Sequence, residues 1–133
     1  MILHALERLL TPAPAPIENI LNAHPMIEQT MVSGAGQPTP FAMVLLAESL
    51  RPKQDDPATR IEIERQLASL LDDVNGQVTG YAQLKMIVVE RDPWSIENGC
   101  LTPTMKIKRA KVEARIAPRI AAWYAEAKKV LWT

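Results

Sequence analysis

The stretch Phe-Ala-Met-Val-Leu-Leu at residues 41–46 is apolar at every position. Successive side chains of a strand point to opposite faces, so this pattern predicts a strand that is covered on both sides. A second strand is predicted at 27–33, and the segment 34–38 between them contains two glycines, which permit the positive φ of a tight turn. The centre of the fold is therefore predicted to be a hairpin whose return strand, at 40–47, lies between two layers.

Helical patterns flank this hairpin on both sides. Before it, apolar residues with helical spacing predict a helix that starts near Pro16 and ends at His24-Pro25. After it, Asp56 is a good N-cap and Pro57 suits the first turn of a longer helix that ends at Asn75-Gly76. The apolar stripe of this longer helix consists of Ile63, Leu67, Leu70, Leu71 and Val74.

The C-terminal half adds a third strand at 86–89 and more helix. A helical stripe runs to the end of the chain, and Pro118 predicts either a kink or two helices that meet there. The stripe consists of Val112, Ile116, Ile120, Trp123, Ala127 and Val130. These elements predict an α+β fold, with a small three-stranded sheet, a β-hairpin, and helices packed on the sheet.

The N-terminal residues differ in pattern from the rest. Residues 2–10 can form a short helix, and the alternating prolines of 11–16 favour an extended linker. We therefore expect a leader and linker at 1–13 and one domain at 14–133.

Composition restricts the possible functions. Fifteen basic residues balance fifteen acidic ones, so no global field favours nucleic acid, and any anion binding must come from a local cluster. The single Cys100 excludes an internal disulfide and suits a cytoplasmic protein. Two histidines without paired spacing predict no metal site, and no apolar run approaches the roughly 20 residues of a transmembrane segment.

The densest charge lies at residues 101–109, which read Leu-Thr-Pro-Thr-Met-Lys-Ile-Lys-Arg. If Met105 and Ile107 face the core, Lys106 and Lys108 share the exposed face. Lysine is a compact point charge that can reach a phosphate or carboxylate. On charge alone, a solvated basic edge is the more common explanation.

Three separated pieces of the chain together resemble a known family. They are Pro-Ala-Pro-Ile-Glu-Asn-Ile-Leu at 14–21 with the segment 24–29, the hairpin Ser-Gly-Ala-Gly at 33–36, and the segment 97–109. In this order they resemble the C-terminal domain of an adenylate-forming acyl-CoA synthetase, of the long-chain fatty acid CoA ligase type. The resemblance covers about residues 14–128.

The resemblance implies roles for individual residues. Lys106 takes the place of the family lysine that enters an active site on a larger N-terminal domain while ATP and an acid form an acyl-adenylate. Pro103, Thr104, Lys108 and Arg109 complete the motif, with Arg109 expected to anchor the loop against the domain. Many family members have glycine where this chain has Met105, so the loop is expected to be less permissive here.

The hairpin and the second reaction step are linked in the same way. After adenylation the C-terminal domain of this family rotates, and its opposite face helps to form the coenzyme A channel. Gly34 and Gly36 are candidates for that face, although plain turn glycines are the more common explanation.

The resemblance also implies partners. We expect an N-terminal adenylation domain and an acyl substrate, with ATP, Mg²⁺ and coenzyme A used by the complete enzyme. The 133 residues contain no Gly/Ser/Thr-rich phosphate loop, so we expect the isolated chain to be inactive and to bind none of these cofactors. Two alternatives are a separately encoded subunit that acts in trans, and a non-catalytic binding or dimerisation module. Weak self-association through the docking surface is also expected.

Overall fold

The computed structural model describes residues 14–34, 37–78 and 80–133. The short helix expected at 2–10, residues 11–13 of the linker, and Gly36 lie outside the described residues. The helices are α1 (Pro14–Asn22), α2 (Pro57–Asn75), α3 (Arg109–Ile116) and α4 (Ile120–Glu126). The strands are β1 (Ile27–Ser33), β2 (Phe41–Leu46), β3 (Ile87–Val89) and β4 (Val130–Trp132).

The described strands form one sheet in the order β1-β2-β3-β4. β1 and β2 are antiparallel, as predicted for a hairpin, whereas β2 pairs with β3 and β3 with β4 in parallel. Every residue of β2 is buried. The prediction that this strand is covered on both faces is therefore confirmed.

Each face of the sheet has its own hydrophobic cluster. α1 and α2 cover one face, where Val44 and Ile87 belong to the same cluster as Leu67. α3 and α4 cover the other, where Met43 and Val88 belong to the same cluster as Trp123. Phe41 makes an edge-to-face contact with Trp123, with ring centroids 5.9 Å apart. The α+β class predicted from the sequence is confirmed.

The longest helix follows its sequence signals closely. The Asp56 carboxylate accepts a hydrogen bond from the Thr59 amide at 3.0 Å, which satisfies one of the free N–H groups at the start of α2. The helix ends at Asn75. All five residues of the predicted stripe are buried, namely Ile63, Leu67, Leu70, Leu71 and Val74.

The sheet has a fourth strand that the sequence did not predict. The helical stripe was expected to continue through Val130, but α4 ends at Glu126 and Ala127 adopts a left-handed conformation with φ 54°. A left-handed residue stops a helix and turns the chain. Leu131 then pairs with Val88 and is buried, so residues 130–132 extend the sheet at its edge.

The structure also shows how the chain accommodates prolines at two places, the start of α1 and residue 118. α1 begins at Pro14, so residues 14–16 are helical rather than extended. The first helical turn has free N–H groups in any case, and prolines there lose no hydrogen bond. Pro118 lies in a short 3-10 turn, Ala117–Arg119, that separates α3 from α4, as expected for two helices that meet there. No helix among the described residues is long and apolar enough to span a membrane.

Candidate active site

The lysine segment forms a tight hairpin directly before α3, and residues 103–106 of this hairpin are exposed. Leu101 and Ile107 pair as an antiparallel bridge and close its base. Inside this bridge, the Thr102 amide donates to the Lys106 carbonyl at 2.8 Å. The Lys106 amide donates in return to the Thr102 hydroxyl at 3.0 Å. These two bonds fix the main chain of Lys106 against Thr102.

Three residues, Pro103, Thr104 and Met105, form the tip of this hairpin. The Met105 amide donates to the Thr102 carbonyl at 2.8 Å, so Pro103 occupies the second position of a β-turn, which its fixed φ favours. Met105 follows with φ 67°. A β-turn followed by a left-handed residue is the usual form of a three-residue hairpin loop, and glycine is the residue that fits the last position best.

Met105 does not face the core, so the condition that Met105 and Ile107 both point inwards is not met. Its side chain is 57% exposed, because the chain turns here instead of continuing as a strand with alternating faces. Ile107 is half-buried and packs against the cluster under α3. Lys106 and Lys108 are both exposed, as expected. Among the residues that the structure describes, neither lysine has a carboxylate within ion-pair distance.

A second turn supports the base of the hairpin, and Asn98 organises it. The Asn98 side-chain oxygen accepts from the amides of Ser95 and Cys100 at 3.0 and 3.1 Å, and its amide group donates to the Pro93 carbonyl at 3.0 Å. Gly99 follows with φ 80°. No role for Asn98 was predicted from the sequence, although the Asn-Gly pair is a recognised turn signal that identifies this segment.

Cys100 contributes to the frame through its main chain. Its carbonyl accepts the Lys108 amide at 2.8 Å, next to the start of α3. Its thiol is buried, and a guanidinium nitrogen of Arg115 donates to the sulfur at 3.5 Å. This hydrogen bond raises the pKa of Arg115. The position of Cys100 is that of a packed structural residue.

Arg109 lies against the domain, where anchoring was expected. Its guanidinium donates to the Glu18 carboxylate at 2.5 Å and to the Val32 carbonyl at 3.3 Å. The other Glu18 oxygen accepts the Val32 amide at 2.7 Å. The role of Glu18 was not predicted from the sequence, since nothing in the local pattern links it to a residue 91 positions later.

The β1–β2 turn requires glycine at its first position. Gly34 has φ 127°, and a Cβ atom there would lie 2.8 Å from the Pro40 Cα, closer than real atoms approach. The Tyr124 hydroxyl donates to the Thr39 carbonyl and holds the other side of the turn to α4. Burial raises the pKa of Tyr124 to about 12. Of the two candidate glycines, the structure therefore gives Gly34 a steric reason of its own.

Among the described residues, no group of three or more His, Cys, Asp or Glu side chains is placed to hold a metal ion.

A family model described as the AMP-binding enzyme C-terminal domain matches residues 11–128. The chain belongs to this family. It is 27% identical over 124 residues to the long-chain-fatty-acid–CoA ligase FadD15 of Mycobacterium tuberculosis, covering 84% of this chain and 21% of that ligase. It is 35% identical over 66 residues to the peroxisomal long chain acyl-CoA synthetase 7 of Arabidopsis thaliana, covering 48% of this chain and 9% of that protein.

Solved structures agree with the family. The A-PCP didomain of carboxylic acid reductase from Segniliparus rugosus, in complex with AMP, superposes with a TM-score of 0.64 at 27% identity. The match covers 86% of this chain and 16% of that chain. The chain thus spans about a tenth to a fifth of the length of these relatives. The family inferred from the three sequence pieces is confirmed.

Proposed function

We propose that this chain is the mobile C-terminal domain of an ATP-dependent acyl-CoA ligase and that Lys106 is its adenylation lysine. The observation that carries this proposal is the hairpin itself. It fixes the main chain of Lys106 through two hydrogen bonds with Thr102 and leaves the ammonium group exposed. An exposed cation that makes no ion pair with the described residues, on a defined loop, is suited to enter the active site of another domain.

The adenylation step requires a cation at the reacting groups. In the first step a carboxylate oxygen of the acid bonds to the α-phosphorus of ATP, and the bond from that phosphorus to pyrophosphate breaks. Two anions must approach each other, and negative charge moves onto the leaving pyrophosphate. A preplaced ammonium stabilises this transition state, and one such donor typically contributes about 10²–10³ in rate.

Lys106 is a better candidate than Lys108 for geometric reasons. Lys106 directly follows the turn residue Met105, next to the exposed tip of the lysine hairpin. Lys108 lies at the base, where its amide is bonded to Cys100 and the chain enters α3. In this proposal Lys108 adds positive charge near the phosphates, and Arg109 holds the loop.

We assign the second step, thioester formation, to the face of the domain that carries the β1–β2 turn. The thiol of coenzyme A attacks the acyl carbonyl, the thioester forms and AMP leaves. The β1–β2 turn at Gly34, held between Pro40 and Tyr124, is the proposed coenzyme A side of the domain. The N-terminal adenylation domain, Mg²⁺ and a cytoplasmic location belong to the same proposal, as does weak self-association of the isolated domain.

ATP–pyrophosphate exchange tests the proposal at the level of whole domains. Three samples are compared: the complete ligase, its N-terminal adenylation domain alone, and this chain alone. We expect exchange from the complete ligase only, since the adenylation lysine and the nucleotide site lie on different domains. Restored exchange on mixing the two parts would favour the subunit that acts in trans.

Two results would contradict the proposal. One is exchange by this chain alone. The other is full exchange by the N-terminal domain without this chain, which would favour a non-catalytic binding or dimerisation module. A self-association measurement on the isolated chain, by analytical ultracentrifugation, then separates dimerisation from other binding.

A further inference from the structure

We infer that Glu18 is a positioning residue for the lysine loop: its buried carboxylate holds Arg109 and joins the loop to the β1–β2 hairpin. The effect on catalysis rests on the proposed function of Lys106, whereas the effect on the loop does not. The structure brings together three segments at this point. They are α1 through Glu18, the end of β1 through Val32, and the start of α3 through Arg109.

Three hydrogen bonds close a ring around the Val32 peptide groups. The Val32 amide donates to one Glu18 oxygen at 2.7 Å, and Arg109 donates to the other at 2.5 Å. Arg109 then donates to the Val32 carbonyl at 3.3 Å and completes the ring. Glu18 is only 8% exposed, and both of its oxygens are used. A buried carboxylate requires such partners, which makes this arrangement specific.

The ring also covers an open sheet edge. Among the described strands β1 is the outer one on its side of the sheet, so the Val32 N–H and C=O have no further described strand to pair with. Glu18 and Arg109 satisfy both groups in place of a strand. Val32 lies two residues before Gly34, so the position of Arg109 is tied directly to the start of the hairpin turn.

The start of α3 depends on this anchor. Lys108 is the N-cap residue and makes no side-chain capping bond. Arg109 begins the helix, only three residues after Lys106. The segment 106–109 is therefore held at one end by the Leu101–Ile107 bridge and at the other by the Glu18–Arg109 pair. Loss of the pair frees the helical end of the lysine loop.

One consequence concerns the rotation of the domain. The lysine loop serves the first proposed step, and the turn between β1 and β2 serves the second. Because Glu18 bonds to both segments, the two surfaces keep a fixed relative orientation while the domain moves. Without this tie, each surface would adjust independently in its own step.

Glu18→Gln tests the inference most sharply. Glutamine keeps an oxygen that can accept the Val32 amide but removes the charge that holds Arg109. The matched control is Glu62→Gln, which breaks the exposed Glu62–Arg65 pair, also at 2.5 Å, on α2. Amide hydrogen exchange is measured on the full 133-residue chain for the parent and both variants.

We expect Glu18→Gln to speed exchange of the Met105, Lys106 and Lys108 amides about tenfold, the size of a coupling between contacting charged residues. The α2 amides should stay unchanged, and the control should leave the loop unchanged. Equal exchange at the loop in parent and Glu18→Gln would overturn the inference. A uniform increase over all elements would also overturn it, since that is general destabilisation.

A double-mutant cycle in the complete ligase adds a kinetic readout. We expect Glu18→Gln to lower the kcat of adenylation about tenfold with little change in the KM for ATP, and Glu18→Gln with Arg109→Gln to lower it no further. Additive losses would refute the coupling of Glu18 to Arg109. If the exchange result holds while Lys106→Ala leaves adenylation intact, the positioning inference stands and the proposed function of Lys106 fails.

Discussion

The left-handed Met105 leads to a prediction whose sign can be worked out in advance. A residue with a Cβ atom costs about 1–2 kcal/mol in this conformation, and glycine avoids that cost. Glycine also loses more chain entropy on folding, which is worth about 0.5–1 kcal/mol relative to alanine. At φ 67° we therefore expect the Met105→Gly protein to be more stable than the Met105→Ala protein by about 1 kcal/mol.

Comparing Met105→Gly with Met105→Ala cancels the contribution of the methionine side chain. Both lose the contacts of the methionine, so only the backbone preference differs. For a domain of this size, about 1 kcal/mol corresponds to a Tm difference of about 3–5 °C, which thermal unfolding followed by circular dichroism resolves. Urea unfolding at a common temperature gives the free energy of unfolding directly.

An exposed helical residue provides a control of opposite sign. Ile61 lies on α2 and is 67% exposed, and glycine in a helix costs about 1 kcal/mol relative to alanine. Ile61→Gly should therefore be less stable than Ile61→Ala. If glycine is also the less stable choice at position 105, the backbone of the lysine loop differs from the one described, and the reasoning fails.

Three further predictions concern stability. Thr30 is buried and its hydroxyl has no hydrogen-bond partner among the described residues. Thr30→Val should therefore raise the free energy of unfolding by about 1 kcal/mol, measured by urea unfolding. A lower free energy of unfolding would show that the hydroxyl is hydrogen-bonded. Gly34→Ala should destabilise by at least about 2 kcal/mol because of its φ and the contact with Pro40, whereas Gly80→Ala, with open space around it, should change stability little. Tyr124 has a pKa raised to about 12 by burial, so the folded state keeps its proton where the unfolded state releases it near pH 10. The stabilisation from the neutral phenol is present below pH 10 and is lost as the pH rises through 12. Between pH 8 and pH 11 the free energy of unfolding, measured with urea, should fall less for Tyr124→Phe than for the parent. Equal falls would contradict the assignment.

The elements that the sequence predicted are those with local signals. β2 is apolar on both faces because it lies between two layers, and α2 carries its N-cap at Asp56 and its stripe within one continuous segment. Such patterns depend only on residues that are neighbours in sequence, so they can be recognised without knowledge of the rest of the fold.

β4 was missed because its signal is short and conflicts with another. The spacing of Trp123, Ala127 and Val130 fits a helix, and a three-residue strand offers little pattern of its own. The outcome depends on pairing with β3, some 40 residues earlier, and on the left-handed Ala127. Neither is visible in the local sequence.

The candidate site shows the same division. Pro103, Lys106 and Arg109 were identified as motif residues through the resemblance of the segment 97–109 to a known family. The turn that exposes Met105 was not, since a strand-like alternation was assumed through the loop. The Glu18–Arg109 pair joins α1 to the start of α3, across 91 residues of sequence, and only the folded chain reveals it.

Separate measurement of the two half-reactions in the complete ligase tests the role of Lys106 most directly. Lys106→Ala is compared with Lys53→Ala, which removes an exposed lysine from the 3-10 turn Arg51–Lys53, outside the hairpin and its anchor. ATP–pyrophosphate exchange reports adenylation, and thioester formation from supplied acyl-adenylate reports the second step. We predict that Lys106→Ala lowers the first rate about 10²–10³-fold and the second far less, while Lys53→Ala changes neither. Exchange by Lys106→Ala at the parent rate, or equal losses in both steps, would contradict the account.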